Sequence, residues 1–243
     1  MNIDEYKTLH TFEDFYWWHV GRREMVEDVL SRILKQKRNS ILEIGCGTGG
    51  NGKTLGKFGE VIGIDPSEKA IRFCKGRGFH KVVLGRGEKT NFPPEHFDLV
   101  VALDVFEHME RDEAGFRESF RILKKGGYLL LTVPAYQFLW SEHDDALDHK
   151  RRYTVSQLRS KMQIANFEIV KISYLVTFLF PPIVLYRLGK KLLRQRDKKR
   201  TSYVIVPIWM NKFFVALLRF ESTLLRYIDF PFGTSIICIA RKR

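Results

Sequence analysis

The run Ser40-Ile41-Leu42-Glu43-Ile44-Gly45-Cys46-Gly47-Thr48-Gly49-Gly50 permits few folds. Its first half is a short apolar stretch of the kind that forms a strand buried on both faces. Its second half must turn at once, because glycines reach backbone angles other residues avoid and let a ligand approach the main chain. A strand that runs straight into glycines opens a β-α unit. The carboxylate of Glu43, two residues before the first glycine, restricts the ligand further.

The rest of the chain repeats that alternation. Residues 60–65, 81–85, 97–103, 128–134, 167–173 and 234–243 read as six further strands. Helices are expected from Met25 to Leu34, where apolar residues recur at helical spacing, and over 66–75, 112–123 and 154–166. Strands alternating with helices predict an α/β fold, a doubly wound, mostly parallel seven-stranded sheet. The expected organisation is an N-terminal helical and aromatic cap (1–39), a ligand-binding core (40–173), an insertion (174–233) and the last strand (234–243). There is no internal repeat. The apolar fraction, 44%, supplies a core, and three scattered cysteines suit reduced thiols rather than a disulfide framework. The N-terminus lacks the basic-then-apolar order of a signal peptide.

Gly45, Gly47 and Gly50 also satisfy a dinucleotide fingerprint, with Asp65 spaced to meet a ribose. Glu43 argues against a pyrophosphate and for a ligand with positive groups. S-adenosylmethionine (SAM) has an ammonium, a sulfonium and a ribose. The segment Glu43 to Gly49, the strand ending in Asp65 and the run FDLVVALDVFEHM (97–109) resemble class I SAM-dependent methyltransferases. The nearest group is methyltransferase type 11, which includes ubiquinone and menaquinone biosynthesis enzymes. The resemblance covers Ile41 to Phe167 and implies the Rossmann-like methyltransferase fold. It further implies that Glu43, Gly45, Cys46, Gly47 and Gly49 hold the methionine end of SAM and Asp65 its ribose. Gly87 and Glu88 would lie along the adenine, and Asp104 near the methionine. Arg86 stands where many relatives carry an acid for the adenine amino group.

Methyl transfer is an in-line displacement, helped by alignment and, for a hydroxyl acceptor, by a base. Candidates lie beyond the carboxyl ends of the strands. His108 follows the fourth strand. The long polar loop 135–154 follows the fifth, and loops of that length are often functional. His143 is the expected base, with Asp144 or Glu142 orienting it. Trp140, His149, Arg151, Arg152 and Tyr153 are expected around the substrate, the arginines suiting a phosphate or carboxylate. From the N-terminal segment, Trp17, Trp18 and Arg22 are expected to cap it. No metal is expected.

The insertion carries most of the chain's excess charge, with eleven basic residues against three acids in 174–233 and a net +13 overall. It joins an apolar run, 174–186, to a basic run, 190–200. Pro181 and Pro182 are expected to break the apolar run, which is too short to span a bilayer, where about 20 residues are needed. Val206, Met210, Phe213, Phe214, Leu217, Leu224, Leu225 and Ile228 approximate one apolar helical face opposite Asn211, Lys212, Arg219, Ser222 and Arg226. Such a helix suits a membrane interface with anionic headgroups. The sequence therefore reads as a cytoplasmic enzyme, peripheral on the inner face of the membrane. Its expected acceptor is an amphiphile such as a quinone precursor, a polyprenyl-linked sugar or another lipid intermediate, methylated at oxygen. The alternatives are a soluble small-molecule methyltransferase whose insertion forms a homodimer, and a SAM-binding protein without activity. Nucleic acid is not an expected partner, because the insertion is too apolar for phosphate contacts alone.

Overall fold

The structure is a computed structural model and describes residues 3–36, 38–192 and 203–243. Its strands are β1 (Asn39–Ile44), β2 (Gly59–Asp65), β3 (Lys81–Leu84), β4 (Phe97–Leu103), β5 (Leu123–Pro134), β6 (Phe167–Leu175) and β7 (Ser235–Lys242). They form one sheet in the order β3-β2-β1-β4-β5-β7-β6, parallel except for β7, which runs antiparallel between β5 and β6. The expected seven-stranded sheet is thus present, with each strand within a few residues of its predicted place apart from the earlier start of β5.

Flanking it are helices α1 (Ile3–Phe12), α2 (Trp17–Ile33), α3 (Gly52–Leu55), α4 (Glu68–Phe73), α5 (Asp112–Ile122), α6 (Glu142–Ala146), α7 (Val155–Ile164), α8 (Phe180–Leu192) and α9 (Ile208–Leu225). The core is built on the central strands. Ile41, Leu42, Val100, Val101, Leu130, Leu131 and Ile237 are fully shielded, as a doubly covered parallel sheet requires. The chain reverses direction in strand order between β1 and β4, and a cleft opens there at the carboxyl ends.

Two differences from the sequence reading concern helices. α2 begins at Trp17, eight residues before the periodic stretch. Its first turn is held from outside: the Trp17 ring meets Phe214 edge-on at 5.4 Å, and its backbone N–H donates to Asn211 of α9 at 2.9 Å. Gly21 makes the crossing with α9 close, because a Cβ there would stand 2.3 Å from Leu218 Cδ1. The two prolines do not break the insertion's helix. Pro181 and Pro182 lie in the first turn of α8, where an absent N–H costs nothing.

The connection between β6 and β7 leaves and returns at paired neighbours, Leu175 and Ser235. Val176, the first residue out, has φ +60°, a strained value for a β-branched side chain. Glu221 of α9 compensates. Its buried carboxylate accepts the backbone N–H groups of Val176, of Thr177 at 2.8 Å and of Phe178 at 3.4 Å. No described helix is long and apolar enough to cross a membrane. The basic run beyond Leu192 lies outside the described residues.

Glu221→Ala leaves these donors unsatisfied in the interior. It is expected to lower unfolding free energy by about 2–4 kcal/mol, read by urea titration. A loss below about 0.5 kcal/mol would mean that the insertion is not held at this carboxylate.

Candidate active site

The cleft has a volume of about 1550 Å³ and is walled by the glycine loop, α2, the ends of β4 and β5, the loop containing α6, and α8. Ile44, at the end of β1, lines its floor, and Glu43, one residue earlier, is fully buried and does not itself line it. Glu43 Oε1 accepts from Asn51 Nδ2 at 2.7 Å, and among the described residues Oε2 has no partner. Burial raises its pKa from 4.5 to about 8. Gly45 turns the chain with φ +69°, and a Cβ on it would collide with Val105 at 2.5 Å. Asp65, at the end of β2, accepts the N–H groups of Ser67 at 2.9 Å and Gly47 at 3.0 Å, which ties the second strand to the loop. Cys46, Gly47, Gly87 and Glu88 also line the cleft, with Arg86 beside them. Gly49 is turned away, and its absent side chain would contact Cys74 and Arg77.

Asp104 follows β4 with φ +56°, a strained conformation at the mouth of the switch point. Thr132 donates to its Oδ1 at 3.0 Å, and Arg22 of α2 donates to Oδ2. Arg22 is buried, its guanidinium 5.7 Å from the centre of the Trp18 ring, and its Nε is unpartnered. Arg22 therefore reaches the methionine side of the expected cofactor site, not only the substrate mouth. Trp17, Trp18 and Trp140 all line the cleft.

The loop after β5 folds around Asp144. This buried carboxylate accepts from His149 Nδ1 at 2.9 Å, from Arg152 Nε and Nη2 at 2.8 and 3.0 Å, and from the Ser141 N–H at 2.9 Å. Burial alone would raise its pKa, but His149 and Arg152 overcome that and hold it well below the usual carboxylate range. The histidine that Asp144 orients is thus His149, not His143. The sequence offered both at short spacing, and only the turn of α6 selects between them. His143 also lines the cleft, where burial pushes its pKa down to about 4.

Two expected substrate residues lie elsewhere. Arg151 pairs with Asp112 at 2.9 Å and donates to the carbonyls of Met109 and Glu110. Tyr153 is buried and donates its hydroxyl to Asp112 at 2.8 Å. Neither lines the cleft; they pin the loop to α5. Arg152 does line it, but its guanidinium is occupied by Asp144 and the Ala135 carbonyl.

Glu107 was not among the expected site residues. It is wholly buried in the cleft wall, neither carboxylate oxygen has a hydrogen-bond partner, and Oε1 stands 3.9 Å from His149 Nε2. Burial first, then the charge of Asp104, raises its pKa well above the usual range. His108 packs edge-on against His149 at 4.6 Å, and burial pushes its pKa down to about 4. Ligand atoms of Glu107, His108 and His149 lie within 4.8 Å of one another. The adjacent Glu-His pair after a buried strand was the only sequence signal for this cluster. Ile183, Tyr186, Arg187 and Lys190 of α8 also line the cleft, and nothing in the sequence placed the insertion there.

A family described as "Methyltransferase domain" matches residues 42–131. Over that segment the chain is similar to methyltransferase domains. It is 30% identical over 122 residues to a sterol 24-C-methyltransferase of Aspergillus fumigatus, covering 46% of this chain and 31% of that protein. It is 29% identical over 163 residues to a probable S-adenosylmethionine-dependent methyltransferase of Mycolicibacterium smegmatis, covering 65% and 61%. The chain thus spans between about a third and three-fifths of the length of these curated relatives. Among solved structures, a SAM-dependent methyltransferase from Thermotoga maritima, a possible histamine N-methyltransferase, shares the fold. Its TM-score is 0.62 at 18% identity, over 99% of this chain and 96% of that one.

The cleft fits SAM. The unpartnered Glu43 oxygen offers a buried acceptor for an ammonium, and Asp65 a carboxylate for ribose hydroxyls. Gly87 leaves a flat wall, where a Cβ would stand 2.3 Å from Ile44.

The raised pKa sets a sign. Free Glu43 is largely protonated at neutral pH, and an ammonium beside it favours the charged form. SAM binding at about pH 7 is expected to release up to one proton, and affinity should rise with pH until about 8. Calorimetry in Tris and HEPES, which differ in ionisation enthalpy, measures the release; identical heats would refute it. Glu43→Gln should weaken SAM by about 10- to 100-fold while leaving the free protein no less stable at neutral pH, since glutamine imitates the protonated form.

Proposed function

We propose that this chain transfers the methyl group of SAM to a hydroxyl of an amphiphilic acceptor at an anionic membrane surface. The observation that carries the reading is the composition of the cleft walls. One wall is the glycine loop that follows Glu43, and another is α8, a helix whose outer face is apolar. A sterol methyltransferase among the relatives is consistent with a greasy acceptor.

SAM supplies an electrophilic methyl on a sulfonium, which leaves as a neutral thioether. Glu43 and Asp65 would hold the ammonium and the ribose, with Arg22 and Asp104 closing the methionine end. His149 is the base. Ionised Asp144 accepts from its Nδ1, so the proton resides there and Nε2 is left with a lone pair. Nε2 is the atom that takes the hydroxyl proton as the acceptor oxygen attacks. Burial, then the charge of Asp104, biases Glu107 toward its neutral form. Arg152 keeps Asp144 ionised and in place.

Membrane attachment rests on the exposed side of the insertion. On α9 the buried stripe is Val215, Leu218, Glu221, Ser222 and Leu225. A second stripe, Trp209, Phe213 and Phe220, faces out, with Trp209 68% exposed. The sequence reading gave α9 one apolar face, and it has two. Several of its polar residues pair with α2: Arg219 with Glu24, and Ser222 and Arg226 with Asp28. Exposed apolar residues bordered by Lys212, Arg219 and Arg226 suit a helix lying in the headgroup layer.

Labelled SAM with a lipid extract is expected to give a labelled amphiphile. His149→Gln should lower that transfer by about 100-fold or more with SAM affinity unchanged, and His143→Ala by less than about tenfold. The reverse order would return the role to His143. Wild type should float with phosphatidylcholine–phosphatidylglycerol vesicles at low salt, and Trp209→Asp with Phe213→Asp should abolish flotation without changing SAM binding. A protein that ignores vesicles and sizes as a dimer would make this face a self-interface.

A further inference from the structure

α8 is turned inside out. Pro181, Leu185 and Leu188 point to the exterior, with Leu185 72% exposed. Ile183, Arg187 and Lys190, three and four residues apart on the opposite side, line the cleft. A helix that only covered a protein core would bury its apolar stripe and expose its cations. Here the cations are brought to the cavity.

Three other arginines nearby already hold carboxylates. Arg22 is bound to Asp104, Arg151 to Asp112, and Arg152 to Asp144. Arg187 differs: its guanidinium donates to the Leu139 carbonyl, and among the described residues no carboxylate lies within ion-pair distance of it. Burial, followed by the charge of Arg152, lowers its pKa to about 10; Asp144 and Glu142 act in the opposite direction. A guanidinium has five donors, and one carbonyl leaves most of them unused. A half-buried cation with unspent donors at a cavity wall calls for a multi-oxygen anion, which a planar fork recognises well.

We infer that Arg187 and Lys190 form a headgroup site for an anionic amphiphile, the acceptor carrying a phosphate-type group at the α8 end of the cleft. The inference rests on the amphiphilic-acceptor reading above and adds the charge of the head. It also moves the anion contact from Arg151 and Arg152, where sequence placed it, to the insertion. The exposed apolar side of α8 then faces the same lipid phase that delivers the tail.

Dodecyl phosphate below its critical micelle concentration is the probe, with inorganic phosphate and uncharged dodecyl maltoside as comparisons, titrated calorimetrically against the full chain. Dodecyl phosphate should bind at least about tenfold more tightly than either comparison. Arg187→Gln with Lys190→Gln should weaken it by at least about tenfold while SAM affinity and vesicle flotation stay unchanged, which also verifies folding. Arg219→Gln, on the outside of α9, should have no effect. Equal binding of dodecyl maltoside, or unchanged binding by the double variant, overturns the site. Inorganic phosphate binding as well as dodecyl phosphate overturns its assignment to an amphiphile. If wild type binds SAM but not dodecyl phosphate, this inference alone fails; if it does not bind SAM, the methyltransferase reading fails first.

Discussion

A carboxylate at the end of the central strand organises this molecule. β1 lies between β2 and β4, so Glu43 is buried by the sheet itself and cannot be hydrated. Asn51 satisfies one oxygen, and among the described residues nothing satisfies the other. An uncompensated polar atom in that position is costly unless a ligand completes it. The glycine turn that follows brings the main chain past the same point, and Asp65 fastens the turn to β2 through the Gly47 N–H. The cleft exists because the strand order reverses there, and its chemistry follows from what β1 places near its floor.

The second organising group is Asp144. Five donors converge on it from His149, Arg152 and Ser141, three positions of one loop. Such a network fixes a loop that would otherwise be free to rearrange, since Asp144 and Arg152 at its centre are buried and expensive to leave alone. It also sets the tautomer of His149. A second acid, Asp112, does the same work below it, gathering Arg151, Tyr153 and Lys161. The loop's many charges thus divide between two carboxylates, one beside the cleft and one away from it.

The insertion connects chemistry to surroundings. Glu221 ties it to the strained exit of β6, and α9 crosses α2 closely at Gly21. α8 then lies over the cleft with its basic side inward. Both helices present apolar residues outward, beside the cleft. One element, α8, thus lines the cleft on one side and presents apolar residues outward on the other.

The sequence by itself determined the sheet, the glycine loop, Glu43 and Asp65. These depend on local grammar: a buried strand, a turn that only glycines make, and an acid at a fixed offset. It also marked the insertion by composition. Tertiary structure decided the rest. Which histidine meets Asp144, which arginine is left with donors to spare and which side of α8 faces the cavity are all questions of convergence between segments distant in the chain. Periodicity finds a helix's two faces but not their neighbours. An apolar stripe reads the same whether protein or lipid covers it, and an arginine reads the same whether a carboxylate already holds it. Those differences lie in the packing, where burial makes each unpaired polar group costly enough to fix its partner.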